Sequence, residues 1–305
     1  MTTPYEGHLE GLRDMSGKVL ITPKGFAYLT DLGAKPNFLI DNNMYPTPSN
    51  PRTDRNVQIG LHKVETDNTE VTDDELSGLP DDKRSTVLDD HGLVLDEGVT
   101  GHMTWSLGPN ANAASTPIIE TTGAAASYNP LFKKCTPEDL STLQLRLNLL
   151  KIPQSGRILV LDPRHVKDLA DADQKFENQF HVIQTGRPVN MYGFMIYMYM
   201  ANPFYAGADL ANYAKQAFGT AYNQGVGAAA VRHHHASIAY HPAMCWKARS
   251  RAFMYCSRAE TNPANRLAEV GFRMYTKAGP ILPQNMAAQT GTTHGIAAIV
   301  SSDVA

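Results

Sequence analysis

The chain has 305 residues, 42% of them hydrophobic, enough for one large domain or two small ones around a sizeable core. Its formal net charge of −3 at pH 7 argues against a dedicated nucleic-acid binder, which carries a basic excess. The three cysteines, Cys135, Cys245 and Cys256, are odd in number and widely spaced; this excludes a disulfide framework and a CxxC pair and points to a reducing compartment.

The opening residues, MTTPYEGHLEGLRDM, lack the basic and apolar regions of a secretory signal. No apolar run reaches the roughly 18 residues needed to span a bilayer. The richest, 191–200, has the length of a strand and contains Tyr192, Tyr197 and Tyr199. These features suggest a soluble protein of the cytoplasm. Residues 1–130 are polar, rich in Pro and Asn and weakly periodic, and FLIDNNMYPTPSNPRTDRN (38–56) reads as turns and extended chain. In VQIGLHKVETDNTEV (57–71), Val57, Ile59 and Leu61 alternate with polar or small residues, as in a half-buried strand. PDDKRSTVLDDHGLVLDEGV (80–99) predicts a helix started by Pro80 with Asp81 and Asp82 in its first turn. Arg84, Leu88, His91 and Leu95 would share one face.

From residue 136 the signals sharpen. Thr136-Pro137-Glu138-Asp139 is a helix start, with a Thr cap, Pro at the first helical position and acids in the first turn. Leu140, Leu143, Leu147 and Leu150 form its apolar stripe, which Leu145 and Leu149 widen. Pro153 ends the helix and Gly156 makes the turn. RILVLDP then reads as a strand and RHVKDLADADQKF as a helix. Between them Asp162 would cap the helix, Pro163 would be its first residue, and His165 and Lys167 would face solvent. MYGFMIYMYMANP reads as a central strand covered on both faces. ADLANYAKQAF (208–218) predicts a short helix, GTAYNQGVGAAA (219–230) a Gly/Ala loop, and HASIAYHPAMCWKARSR (235–251) a strand or mixed element. The last thirty residues read as short strands and turns.

Charge is segregated. Residues 61–100 hold twelve Asp or Glu against three Lys or Arg, and residues 231–277 hold eight Lys or Arg against two Glu. Two solvated faces would explain this; complementarity between subunits is the sharper reading.

Candidate chemistry is sparse. His233, His234 and His235, with His241 nearby, could supply metal ligands, yet no HExxH-type spacing accompanies them. They read as exposed or partly buried histidines at a loop–strand junction, with His233 and His235 on one strand face. GVGAAA (225–230) matches a dinucleotide fingerprint only loosely and lacks the strand before and the helix after. No GxSxG elbow or phosphate loop is present. Cys245 and Cys256 read as small buried cysteines rather than nucleophiles. Asp162, Arg164 and His165 sit past a strand end, where chemistry often lies, but capping accounts for Asp162 and Pro163.

The order of these pieces resembles the major capsid protein of tailed double-stranded DNA bacteriophages, the Hong Kong 97-type fold. The match runs through a leucine-rich helix, IPQSGRILVLDPRHVKDL, QTGRPVNMYGFMIYMYMANP and ASIAYHPAMCWKAR. Pro153, Gly156, Arg157, Pro163, Gly186, Gly193, Phe194, Tyr197, Ala239, His241 and Ala243 fill the family's positions. The acidic stretch VETDNTEVTDDELSGLPDDKRSTVLDDH (64–91) is similar to a long loop of capsid proteins from phages of Bacteroidetes hosts.

The resemblance implies an α+β chain with an N-terminal arm over 1–36, an extended loop lying on a neighbouring subunit over 37–115, and a peripheral domain with its spine helix over 116–153. An axial domain over 154–235 and return strands over 236–305 complete it. It further implies self-assembly as pentamers and hexamers into an icosahedral virion shell built in the host bacterial cytoplasm and enclosing DNA without sequence-specific binding. Expected partners are a separate scaffolding protein, a portal and decoration proteins; no catalytic residue, cofactor or metal is expected, and no Lys–Asn cross-link can be assigned. Candidate contacts between subunits are Asp81, Asp82, Lys83, Arg84, Arg157, Arg249, Arg251 and Arg258. Two rivals stand beside this reading: an encapsulin compartment of the same fold, and a cytosolic metal-dependent enzyme using His233, His235 and His241.

Overall fold

The computed structural model describes residues 7–20, 26–31, 41, 43, 45–47, 49, 55–72, 83–172, 189–224, 232–257, 267–281 and 294–304. In chain order it contains β1 (Arg13–Asp14), β2 (Val19–Leu20), β3 (Phe26–Asp31), β4 (Arg55–Gly60), β5 (His62–Glu65), β6 (Thr69–Thr72), α1 (Lys83–Leu107) and β7 (Ile118–Glu120). Next come α2 (Pro137–Leu149), β8 (Arg157–Leu161), α3 (Pro163–Ala172), β9 (Val189–Met191), β10 (Phe194–Met198), β11 (Phe204–Ala206) and β12 (Ala214–Lys215). The chain closes with β13 (His233–Tyr240), β14 (Cys245–Arg249), β15 (Phe253–Ser257), β16 (Leu267–Pro280) and β17 (Ile296–Val300).

Two large sheets carry the fold. In the eight-stranded sheet the path β12-β11-β13-β8-β10-β9 is joined by β17 on β13 and β7 on β17. β8 is buried at all five positions, and its alternation serves two cores. Leu159 and Leu161 pack with Leu140, Leu143 and Leu147 of α2 and Val166 and Leu169 of α3. Ile158 and Val160 point the other way, toward Leu95, Val99, Met103 and Leu107 of α1 and Met274 and Ala278 of β16. The second core joins the two sheets. In the six-stranded sheet β16 is the spine: one edge pairs with β15 and then β14, the other with β6 and then β5.

The local signals at α2 and α3 hold. Thr136 and Asp139 form a capping box, with the Thr136 amide donating to Asp139 Oδ2 at 2.8 Å. Gly156 turns the chain with φ +80°. Asp162 Oδ1 accepts from the Arg164 amide at 2.9 Å, completing the cap on α3.

Other expectations are corrected. The predicted 80–99 helix runs from Lys83 to Leu107, inside the 37–115 stretch given to an extended loop. Its 25 residues exceed the 13 of α2; His91 and Leu95 are buried but Leu88 is exposed. Pro80, Asp81 and Asp82, its expected start, lie outside the described residues. Leu145 and Leu149 do not widen the buried stripe of α2 but stand 57% and 67% exposed. The segment 208–218 is a turn and a strand, not a helix. Asp209 Oδ1 accepts from the amides of Ala211 and Asn212, each at 3.1 Å, closing a turn that competes with helix. Gly207, at φ +151°, lets the backbone of Asn212 approach where a side chain would stand, and Ala214 and Lys215 then pair with β11. Part of the expected arm is core: Leu9 and Leu12 join the core between the sheets, and Met15 packs with Trp246 and Tyr275. β1 locks the segment parallel to β14.

Candidate assembly surfaces

The polar residues past β8 form a closed internal network. His165 is fully buried, not solvent-facing: its Nδ1 lies 2.7 Å from Ser237 Oγ on β13. Ser237 Oγ also accepts from the Asp162 amide at 3.0 Å. His235 Nδ1 lies 3.1 Å from Ser301 Oγ and its Nε2 lies 3.0 Å from the Tyr128 hydroxyl, which donates to Asp168 Oδ2 at 3.3 Å. Burial holds the His165 imidazole down at about 3 and raises Asp162 and Asp168 to about 6. The network pins α3 and the C-terminal residues onto β13 and offers a substrate no entry to His165 or His235.

The three successive histidines are all buried, which corrects the junction reading. As β13 residues, His233 and His235 share a face. His241 lies six residues past His235, on the order of 20 Å along an extended chain, and bonds the Ser155 carbonyl at 3.1 Å. His233, His235 and His241 therefore do not converge, and no group of three His, Cys, Asp or Glu among the described residues could hold a metal. Cys245 is buried, whereas Cys256 is exposed on β15, a strand whose three central residues all stand open.

The expected subunit contacts scatter. Arg157 is 1% exposed and bonds inside its own chain: Nε to the Pro153 carbonyl at 2.8 Å, Nη2 to Asn148 Oδ1 at 2.8 Å and to the Ile152 carbonyl at 2.6 Å. It ties the end of α2 to β8 and is buried within the subunit. Arg249 lies 3.9 Å from Asp96 of α1. Arg251 is exposed, over the ring of Phe253 at 5.2 Å. Lys83 is half-buried at the first residue of α1, and Arg84 follows in the first turn. Asp81, Asp82 and Arg258 lie outside the described residues. Arg273 of β16 pairs with Glu65 of β5, so part of the acid–base complementarity is satisfied within the subunit.

Other surfaces were missed from sequence. Leu88, Leu93 and Val94 of α1 and Met254 and Tyr255 of β15 are exposed, and a cavity of about 160 Å³ lined by Val71, Val87, Leu88, Met254 and Val270 lies between these elements. The run Leu93-Val94-Leu95 carries the signal, since three consecutive apolar residues cannot all face one core. A third sheet, β2-β3-β4, pairs only with itself among the described residues. β3 and β4 run antiparallel over six residue pairs, from Phe26–Gly60 to Asp31–Arg55.

No protein-family model and no curated protein matches the chain. Solved structures do match. The capsid of cyanophage P-SCSP1u aligns at 14% identity over 96% of this chain and 86% of that one, with a TM-score of 0.59. The capsid of Ralstonia phage GP4 aligns at 8% identity over 98% and 89%, with a TM-score of 0.63. The holo-SrpI encapsulin complex from Synechococcus elongatus PCC 7942 aligns at 11% identity over 99% and 88%, with a TM-score of 0.55. These sources lend no support to a Bacteroidetes host. At such identities the likeness is one of architecture, and it is near-complete: the chain has the α+β Hong Kong 97-type fold of phage capsid subunits.

Proposed function

We propose that the chain is the major head protein of a tailed bacteriophage, assembling with its own copies as pentamers and hexamers into an icosahedral shell around packaged double-stranded DNA. The β2-β3-β4 sheet carries this reading. Its strands pair with neither large sheet, and of its described side chains Ile59 alone joins a core while Tyr28 is exposed, so most of the hairpin's surface is left for another copy to cover. The near-full-length likeness to phage capsid subunits supports the same role.

Within this reading the eight-stranded sheet with α2 and α3 is the axial domain, and the six-stranded sheet with α1 is the peripheral domain. The spine helix is then α1 rather than 136–152, and the extended loop is the β3–β4 hairpin rather than the whole of 37–115. The subunit is structural, not catalytic. A separate scaffolding protein, a portal and decoration proteins complete the particle, which is built in the bacterial cytoplasm and becomes the virion. An encapsulin shares the fold but encloses no genome. Size-exclusion chromatography and electron microscopy of the purified protein test the shell reading. Closed particles are expected, and nuclease-protected DNA in particles from producing cells would separate a phage head from a compartment; empty particles there would favour the compartment.

A further inference from the structure

Away from the residues discussed above, a cavity of about 380 Å³ opens where α1, β4, β5, β12, β14 and β16 meet. Trp105 and Trp246 both line it, and they are the chain's two tryptophans. Each indole N–H is already committed, Trp105 to the Gln216 carbonyl at 2.7 Å and Trp246 to the Pro280 carbonyl at 3.2 Å, so what remains for an occupant is apolar surface. Two lysines, Lys215 and Lys277, make the rim basic, beside His62, whose imidazole burial and Lys277 hold below its ordinary value. Lys215 sits 4.2 Å from the centre of the Trp105 ring and donates to the carbonyls of Trp105 and Gly108, while Lys277 donates to the Gly60 carbonyl at 3.2 Å. Among the described residues no Asp or Glu lines the cavity and no carboxylate pairs with Lys215 or Lys277. Burial lowers the His102 imidazole behind His62 to about 4, and His62, Lys277 and Lys215 lower it further. An apolar floor with a basic, uncompensated rim suits a segment that interleaves apolar and acidic residues.

The most acidic such segment precedes α1. Residues 73–82, DDELSGLPDD, carry five acids around Leu76 and Leu79. Its own copy cannot deliver it. Lys83 lies 22 residues before Trp105 on α1, about 33 Å at the helical rise. Thr72 pairs with Leu267, 11 residues before Ala278 on β16, about 37 Å at the strand rise. Eleven links of fully extended chain span at most about 40 Å, far short of the roughly 70 Å needed to leave one anchor, reach the cavity and return to the other.

We propose that the Trp105–Trp246 cavity receives the acidic segment 73–82 of a second copy of the chain. The contact rests on the shell reading, because it exists only between copies. It supplies the carboxylates that the basic rim lacks and covers the part-exposed ring of Trp105.

The two tryptophans make occupancy visible. A synthetic peptide of residues 71–82, titrated into dissociated full-length subunits, should change tryptophan emission saturably, with roughly tenfold weaker binding to Lys277→Glu. A deoxydinucleotide serves as the competing probe. A response to it and none to the peptide overturns the proposal in favour of a nucleic-acid pocket. Lys277→Glu should also lower particle yield roughly tenfold, and Asp73→Lys with Asp74→Lys in the same chain should restore it. Should Lys277→Glu fail to fold, Asp73→Lys/Asp74→Lys in otherwise wild-type chain should show the same loss by itself. If wild-type particles form and the charge reversals leave yield and salt resistance unchanged, the contact is wrong and the shell reading stands. If wild-type protein forms no particles, both fall.

Discussion

At the scale of single residues, Arg157 shows how a charge read as an interface residue serves the interior. Its three hydrogen bonds to Pro153, Asn148 and Ile152 fix the turn between α2 and β8. Arg157→Met should leave three acceptors without their donor and cost isolated subunits about 2–4 kcal/mol in chemical denaturation. An unchanged midpoint with failed assembly would return Arg157 to the subunit boundary. The buried imidazoles set the response to acid. His8 and His102 are lowered to about 4 and His165 to about 3, in each case chiefly by burial. Their ordinary value is near 6.5, so the unfolded chain takes up protons first as pH falls, and stability present above pH 6.5 is lost on the way down to about 3. Asp162 and Asp168, raised to about 6 from 3.8, oppose this between about pH 6 and 4, where the folded form binds the extra protons. These imidazoles, joined by His235, which burial also holds well below its ordinary value, outweigh the two carboxyls, and the net loss from pH 7 to pH 5 is at least on the order of 3 kcal/mol. Denaturation midpoints at the two pH values check this; a protein more stable at pH 5 would contradict it. The sequence could not show these burials. His165 follows a cap and precedes Lys167, a solvent-facing pattern, and is buried because Ser237, 72 residues away, meets it on β13.

At the scale of elements, what was legible was local. The Thr136 box, the Asp162-Pro163 cap and the apolar run of β8 each declare themselves within a few residues, and each formed as expected. The end of α1 was not legible. Past residue 99 its residues pack on several sides, with Met103 and Leu107 in the joint core and Trp105 at the cavity, so no amphipathic stripe marks them. Segment 208–218 had helix-forming composition, but a turn at Asp209 and pairing with β11 outcompeted it. The role of the β3–β4 hairpin makes a prediction at this scale. Tyr28 on β3 is exposed, 36% by area. Tyr28→Glu should change subunit stability by no more than about 0.5 kcal/mol, as exposed substitutions do, while sharply reducing particle yield. Equal particle yield would mean that this face of the hairpin meets no neighbour.

At the scale of the whole molecule, the order of short motifs carried more than any one of them. The fold was readable from the succession of helix, Pro-Gly turn, strand and capped helix, followed by the aromatic strand and the ASIAYHPA segment. Domain boundaries were harder to place, because residues 1–130 are polar and yet contribute both core and surface. Leu9, Leu12 and Met15 enter the core, α1 spans the joint between the sheets, and β3 and β4 remain outside both. Composition alone cannot separate chain that folds on its own core from chain that folds on a neighbour. The charge segregation is partly satisfied within the subunit, by Glu65 with Arg273 and Asp96 with Arg249. Cryo-electron microscopy of assembled full-length protein tests this account most directly. It predicts closed icosahedral particles of pentamers and hexamers, with the β2-β3-β4 sheet of each subunit resting on an adjacent one. Only small species under every solution condition, or particles in which the outer face of that sheet meets no other copy, would contradict it.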